Sequence, residues 1–101
     1  EKIDLIALPQ SFTLFQNYPN PFNGETVIKY ELPKSSNIDI KIYDIVGREI
    51  FSKSYLKQEP GVKRFTWKGL NNKNEFVSSG VYFFQISSVE KTRRMKMILL
   101  K

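Results

Sequence analysis

The sequence predicts an all-β protein built as an antiparallel sandwich. Three observations carry the prediction. Apolar residues recur at every second position in segment after segment. Turn residues interrupt that alternation about every ten residues, and no stretch keeps an apolar stripe at helical spacing. Two sheets packed face to face are the economical way to bury so many alternating faces. The 101 residues suit one domain with one core, and eight Phe, five Tyr and one Trp supply large rings to fill it.

The first ordered signal is QNYPNPFN, Gln16 to Asn23. Pro19 and Pro21 fix φ, push Tyr18 and Asn20 towards extended backbone and remove two amide donors, so the stretch pairs only at a sheet edge. It reads as a strap in which Asn20 and Asn23 cap turns and Tyr18 and Phe22 are rigid plugs for one end of the core. An aromatic ligand pocket is the other reading, but no convergent polar set accompanies the rings.

The strands follow in order. Thr26–Leu32 sets Ile28, Tyr30 and Leu32 against Val27, Lys29 and Glu31, and Pro33 ends it. Ile38, Ile40 and Ile42 share one face of the cleanest strand, with Asp39, Lys41 and Tyr43 on the other. DIVG then forms a hairpin turn in which Asp44 bonds the amides ahead of it and Gly47 takes positive φ. Its partner runs from Arg48 to Leu56, with Ile50 and Phe51 expected on opposite faces. VKRFTW puts Phe65 and Trp67 on one face beside Lys63. After a turn-rich loop, Phe76 and Val77 form a candidate short bridge. Val81–Ser87 is apolar on both faces, as suits a central strand covered on both sides. In RRMKMILL, Met95, Met97 and Leu99 alternate with Lys96, Ile98 and Leu100. This makes six strands and a candidate seventh. That number suits an immunoglobulin-like sandwich of about seven strands. Trp67 is large enough to centre its core, although the cysteine pair of antibody domains is absent.

The composition narrows the chemistry. The sequence has no cysteine and no histidine, which removes disulfides, thiolate and imidazole metal sites, cysteine nucleophiles and histidine-dependent triads. Asp39, Asp44, Glu49 and Glu75 are scattered over turns and outward faces, where carboxylates are ordinarily solvated. No phosphate loop is present, so no catalytic, cofactor-binding or metal-binding residue is assigned and the domain is read as not an enzyme. No apolar run is long enough to span a bilayer, and EKIDLIALP lacks the basic-then-apolar pattern of a signal peptide. Net charge is +6, and EKTRRMKMILLK holds five basic residues to one acidic. These charges read as guards of an edge strand against aggregation, in preference to a docking strip for an acidic partner or nucleic acid.

Five stretches in register carry a family resemblance over Leu8 to Lys101. LPQSFTLFQNYPNPFNGETVIKYELP resembles the opening of type IX secretion C-terminal sorting domains of the type A kind. IKIYDIVGREI resembles their YD-x-x-G-R hairpin, and PGVKRFTWKG their tryptophan element. VSSGVYFFQI resembles their SGVYFY strand, and KMILLK their closing lysine-bearing strand. An immunoglobulin-like domain of flagellar-hook capping proteins shares parts of this pattern. Three turn positions depart from it: Lys68 stands where Asp is common, Asn74 where Gly is common, and Gly24 where Pro is frequent.

The resemblance implies a fold and a role. Residues 1–11 would be a linker from an upstream cargo domain, and 12–101 the sorting sandwich. The cargo would travel through the periplasm and across the outer membrane by type IX secretion. It would end secreted or at the cell surface, with the domain removed in many members by a sortase-like component. Recognition is expected at Gly80, Tyr82, Lys96, Met97 and Lys101. Tyr18, Pro19, Asn20, Pro21, Phe22, Asn23, Asp44, Gly47 and Trp67 are expected to be structural. No cofactor, nucleic acid or small-molecule substrate is implied. The alternatives are a carbohydrate-binding module using Tyr43 and Tyr55, and a structural assembly domain.

Overall fold

The computed structural model describes residues 8–101. The segment 1–7, most of the expected linker, lies outside the described residues. Seven strands are present among the described residues: β1 Thr13–Leu14, β2 Thr26–Leu32, β3 Ser36–Tyr43, β4 Glu49–Gln58, β5 Gly61–Trp67, β6 Gly80–Ser87 and β7 Thr92–Leu99. They form a three-stranded sheet in the order β1-β2-β5 and a four-stranded sheet in the order β4-β3-β6-β7, with every ladder antiparallel. The protein is therefore an immunoglobulin-like β-sandwich.

The alternation read from the sequence decides the core. Ile28, Tyr30 and Leu32 from β2 face Ile38, Ile40 and Ile42 from β3 and Tyr82, Phe84 and Ile86 from β6, all buried. Burying each such side chain contributes on the order of 1.5–3 kcal/mol. Trp67 lies at one end of this layer, 5.8 Å from the Phe22 ring and 5.7 Å from the Tyr82 ring, both near edge-on. Its indole N–H donates to the Leu70 carbonyl at 2.9 Å, so the ring is buried with its one donor satisfied. Tyr82 likewise donates its hydroxyl to the Ser78 carbonyl at 2.6 Å.

Four details differ from the sequence reading. The seventh strand is β1, whereas Phe76 makes the expected short bridge, to Leu70, without becoming a strand. A strand of two residues has no period to read. Ile50 and Phe51 both pack against the core, because a register shift opposite Ile42 and Tyr43 inserts Ile50 as an extra residue. Strand β6 is central, but only Tyr82, Phe84 and Ile86 are buried, whereas Val81, Phe83 and Gln85 form a half-buried outer face. Among the described residues no second layer covers that face. Tyr18 is 80% exposed and is no plug. Its backbone exchanges both hydrogen bonds with Val27, at 3.0 and 2.9 Å, and residues paired across an antiparallel bridge put their side chains on the same face. Val27 points outward, so Tyr18 does as well, and Asn17 takes the inward place.

Candidate functional site

The strap and the C-terminal strand form one unit. After β1 the chain follows the same edge of β2, with Phe15 N–H donating to Lys29 and Tyr18 bridged to Val27. It then crosses to the other sheet and lies along the outer edge of β7. There Phe22 N–H donates to the Ile98 carbonyl at 2.9 Å, and Leu100 N–H donates to the Phe22 carbonyl at 2.9 Å. Asn20 Oδ1 accepts the Ile98 amide at 2.9 Å, and Gln16 Nε2 donates to the Lys96 carbonyl at 2.7 Å. Proline suits this position, since a strap at an edge leaves one side of its backbone without a ladder. Both X-Pro bonds, Tyr18–Pro19 and Asn20–Pro21, are cis.

A buried polar cluster holds the crossing. Asn17 Nδ2 donates to the Pro19 carbonyl at 3.1 Å and to Thr26 Oγ1 at 3.0 Å, and the Thr26 hydroxyl donates to the same Pro19 carbonyl at 2.7 Å. Gln16 Nε2 reaches the Asn17 side-chain oxygen at 2.7 Å. Asn17 and Thr26 are the buried polar residues among those described, and no buried side-chain polar atom there lacks a partner. Buried polar groups demand this kind of satisfaction. Gln16, Asn17 and Thr26 escaped the sequence reading, because an amide's burial depends on which partner faces it. The nearest signal was the polar pair Gln16-Asn17 that opens the QNYPNPFN string.

The structure brings most of the expected residues together. Gly80 pairs with Leu99, Tyr82 with Met97, and Phe83 with Lys96 along the β6–β7 ladder. Met97 is fully buried and Tyr82 is 5% exposed, while Lys96 and Lys101 are exposed. Lys101 Nζ lies 5.0 Å from the Phe76 ring centre, and its backbone amide donates to Ser79 Oγ at 3.0 Å. Asn20 bonds Ile98 rather than capping a turn, and Asn23 is exposed at the strap's end. Gly24 follows with φ of +95°, a backbone that proline cannot adopt, so this turn differs from one bearing proline. Asn74, where Gly is common, takes φ of +62°, which asparagine tolerates better than most residues.

The hairpin expectation holds in detail. Asp44 Oδ1 accepts the amides of Val46 and Arg48 at 3.1 and 2.9 Å, and Oδ2 accepts Arg48 Nε at 2.7 Å. The Arg48 backbone amide first, and its guanidinium next, hold the Asp44 carboxyl below its ordinary value. Gly47 closes the turn at φ of +88°. Tyr43 and Tyr55 form no platform: Tyr43 is on the outward face, and Tyr55 packs against the core. No cluster of potential metal-ligating side chains occurs among the described residues.

These features define an immunoglobulin-like module whose site is made of strand edges and side-chain faces around its last strand. A family model described as a secretion system C-terminal sorting domain matches residues 16–100, and the chain belongs to that family. The domain is thus a C-terminal sorting signal for type IX secretion, and it implies an upstream cargo and export to the surface or beyond. Two solved structures share the fold. Dimeric latent PorU from Porphyromonas gingivalis is 20% identical with a TM-score of 0.66, the match covering 97% of this chain and 10% of PorU. PorZ, an essential surface component of the type IX secretion system of the same bacterium, is 19% identical with a TM-score of 0.60, over 87% of this chain and 11% of PorZ. The chain thus spans about a tenth of either structure. No curated protein matches it.

Proposed function

We propose that the domain is read in its folded state. The readers are the type IX machinery at the outer membrane and a sortase-like component, after the precursor has reached the periplasm. The reading surface lies along Gly80, Tyr82, Lys96, Met97 and Lys101. The observation that supports this is the bonding of β7 on both edges: β6 occupies one side, and the strap occupies the other from Lys96 to Leu100. A strand so held offers a reader its side chains rather than its backbone. Lys96 and Lys101 would make the contacts, while Met97 and Tyr82, anchored in the core, would hold them in register. Residues 1–11 would be the linker in which cargo and sorting domain are separated.

A reporter carrying a signal peptide, fused ahead of residues 1–101 and expressed in a type IX-competent bacterium, tests this. Machinery-dependent export that is lost on Lys96→Gln/Lys101→Gln, with the domain still folded, is the expected result. Undiminished export after removal of Met97–Lys101 would overturn it. Mass spectrometry of the released reporter should place its new end before or within residues 1–7, and an end beyond Phe22 would refute that part.

A further inference from the structure

The half-buried outer face of β6 is part of a groove whose lining holds none of the expected recognition residues. Tyr43 on β3 and Phe83 on β6 are register partners on the outward face of the larger sheet. The Arg94 guanidinium lies over the Tyr43 ring at 5.2 Å, and its Nη2 donates to Gln85 Oε1 at 2.9 Å. An aromatic face below and a neutral amide beside it orient this cation without neutralising it. Past Tyr43, the β3–β4 turn raises Ile45 and Val46, which are 69% and 70% exposed. Tyr43, Asp44, Ile45, Val46, Gly47, Phe83 and Arg94 line an open groove of about 390 Å³, in which the Asp44 carboxylate is already bonded to the Val46 and Arg48 amides and the Arg48 guanidinium. Lys96, the register partner of Phe83, flanks it.

The charges on this face are unevenly matched. Lys41 is paired with Glu49 at 3.6 Å, and Arg48 with Asp44 at 2.7 Å. Among the described residues, neither Arg94 nor Lys96 has a carboxylate within ion-pair distance. A planar guanidinium aimed outward beside two exposed apolar side chains fits a carboxylate next to an apolar group. An anionic glycan would leave Ile45 and Val46 uncovered.

We propose that this groove docks an extended acidic and apolar segment of a protein partner. A partner carboxylate lies on Arg94 and Lys96, and a neighbouring apolar side chain packs on Tyr43, Phe83 and the Ile45–Val46 tip. The proposal deepens the sorting reading, and rests on it in taking the partner to be a protein of the export route.

The test is an NMR titration of the isotope-labelled 101-residue chain. The probe is a short peptide alternating glutamate and leucine, and its lysine-for-glutamate counterpart is the control. The expected result is amide shifts confined to Tyr43–Gly47, Phe83, Arg94 and Lys96, absent with the lysine peptide. Arg94→Gln should weaken binding roughly tenfold, the loss of one charge-assisted contact. Shifts elsewhere, no shifts, or an unchanged affinity in Arg94→Gln would overturn the proposal. So would stronger shifts of the same amides by phosphatidylglycerol vesicles or a sulfated glycan. Phe83→Ser provides a second variant on the apolar side. If the unaltered reporter fusion is exported and its Arg94→Gln and Phe83→Ser forms are exported equally well, the groove proposal fails and the sorting reading stands. If the unaltered fusion is not exported, the sorting reading fails whatever the peptide does.

Discussion

Asn20 Oδ1 accepts the backbone amide of Ile98 at 2.9 Å, joining positions 78 residues apart. An edge strand with open amides invites pairing with another chain, and this side chain fills one such place. Asn20→Ala should leave the fold intact and lower stability by about 1 kcal/mol, the usual net value of one hydrogen bond. Hydrogen exchange should accelerate at Ile98 and Leu100 more than at Met97 or Leu99, whose amides face β6. Uniform acceleration across β7 would contradict a strap that acts as an edge cover.

Phe22 and Tyr18 occupy the same rigid string with opposite environments, at 2% and 80% exposure. Phe22→Ala removes a ring packed on Trp67 and should cost about 3–5 kcal/mol. Tyr18→Ala should change stability by less than about 0.5 kcal/mol. Denaturant melts of the two variants would check the contrast.

Met97 is fully buried between the sheets, so its truncation is a packing experiment. Met97→Ala should cost about 2–5 kcal/mol, and the volume-conserving Met97→Leu less than about 1.5 kcal/mol. If Met97 supports the reading surface from within, Met97→Leu will be exported normally in the reporter assay. A folded Met97→Leu that is not exported would mean that the side chain is read directly.

The Asp44 carboxyl is held below its ordinary value of 3.8 by the Arg48 amide and guanidinium. A depressed folded value means that stability is present above the unfolded value and is lost as pH falls through the folded one. Asp44→Ala should therefore melt at a lower temperature than the parent at pH 7. The gap should begin to narrow below about pH 4 and close as pH falls through the depressed folded value, where the parent carboxyl becomes protonated. A gap independent of pH would place the effect in the backbone turn alone.

The Tyr30 hydroxyl is pushed up to about 12, chiefly by burial, while its hydrogen bond to Gln58 at 2.6 Å opposes the shift in part. Here the folded value lies above the unfolded one. The contribution is fully present below pH 10 and is lost as pH rises from 10 towards 12. Two units correspond to roughly 2–3 kcal/mol at most. Tyr30→Phe should remove this part of the alkaline destabilisation. Urea melts of both proteins between pH 9 and 12 would measure the difference.

The two ends of the strap show what a sequence conveys. Pro19 and Pro21 announce a rigid edge segment, because proline restricts its own residue and the one before it wherever it stands. The facing of Tyr18 was not legible, because it is set by pairing with Val27, and no local rule names that partner. Ile50 is similar: its alternation is readable, but the bulge that turns it to the core is a property of two strands together. The groove at Tyr43, Phe83 and Arg94 joins residues from three strands, so no one stretch of sequence contains it.

By itself the sequence determined the class of fold, the inner faces of β2, β3 and β7, the Asp44–Gly47 turn and the family signature. Each is a local pattern, written in period, turn chemistry or motif. Tertiary structure alone decided that the first motif lies on the last strand, with Gln16, Asn20 and Phe22 bonded to Lys96, Ile98 and Leu100. The physical reason is the geometry of closure. A two-sheet sandwich leaves a seam at its edge, and the backbone groups exposed there accept whichever segment the completed fold brings within hydrogen-bond reach.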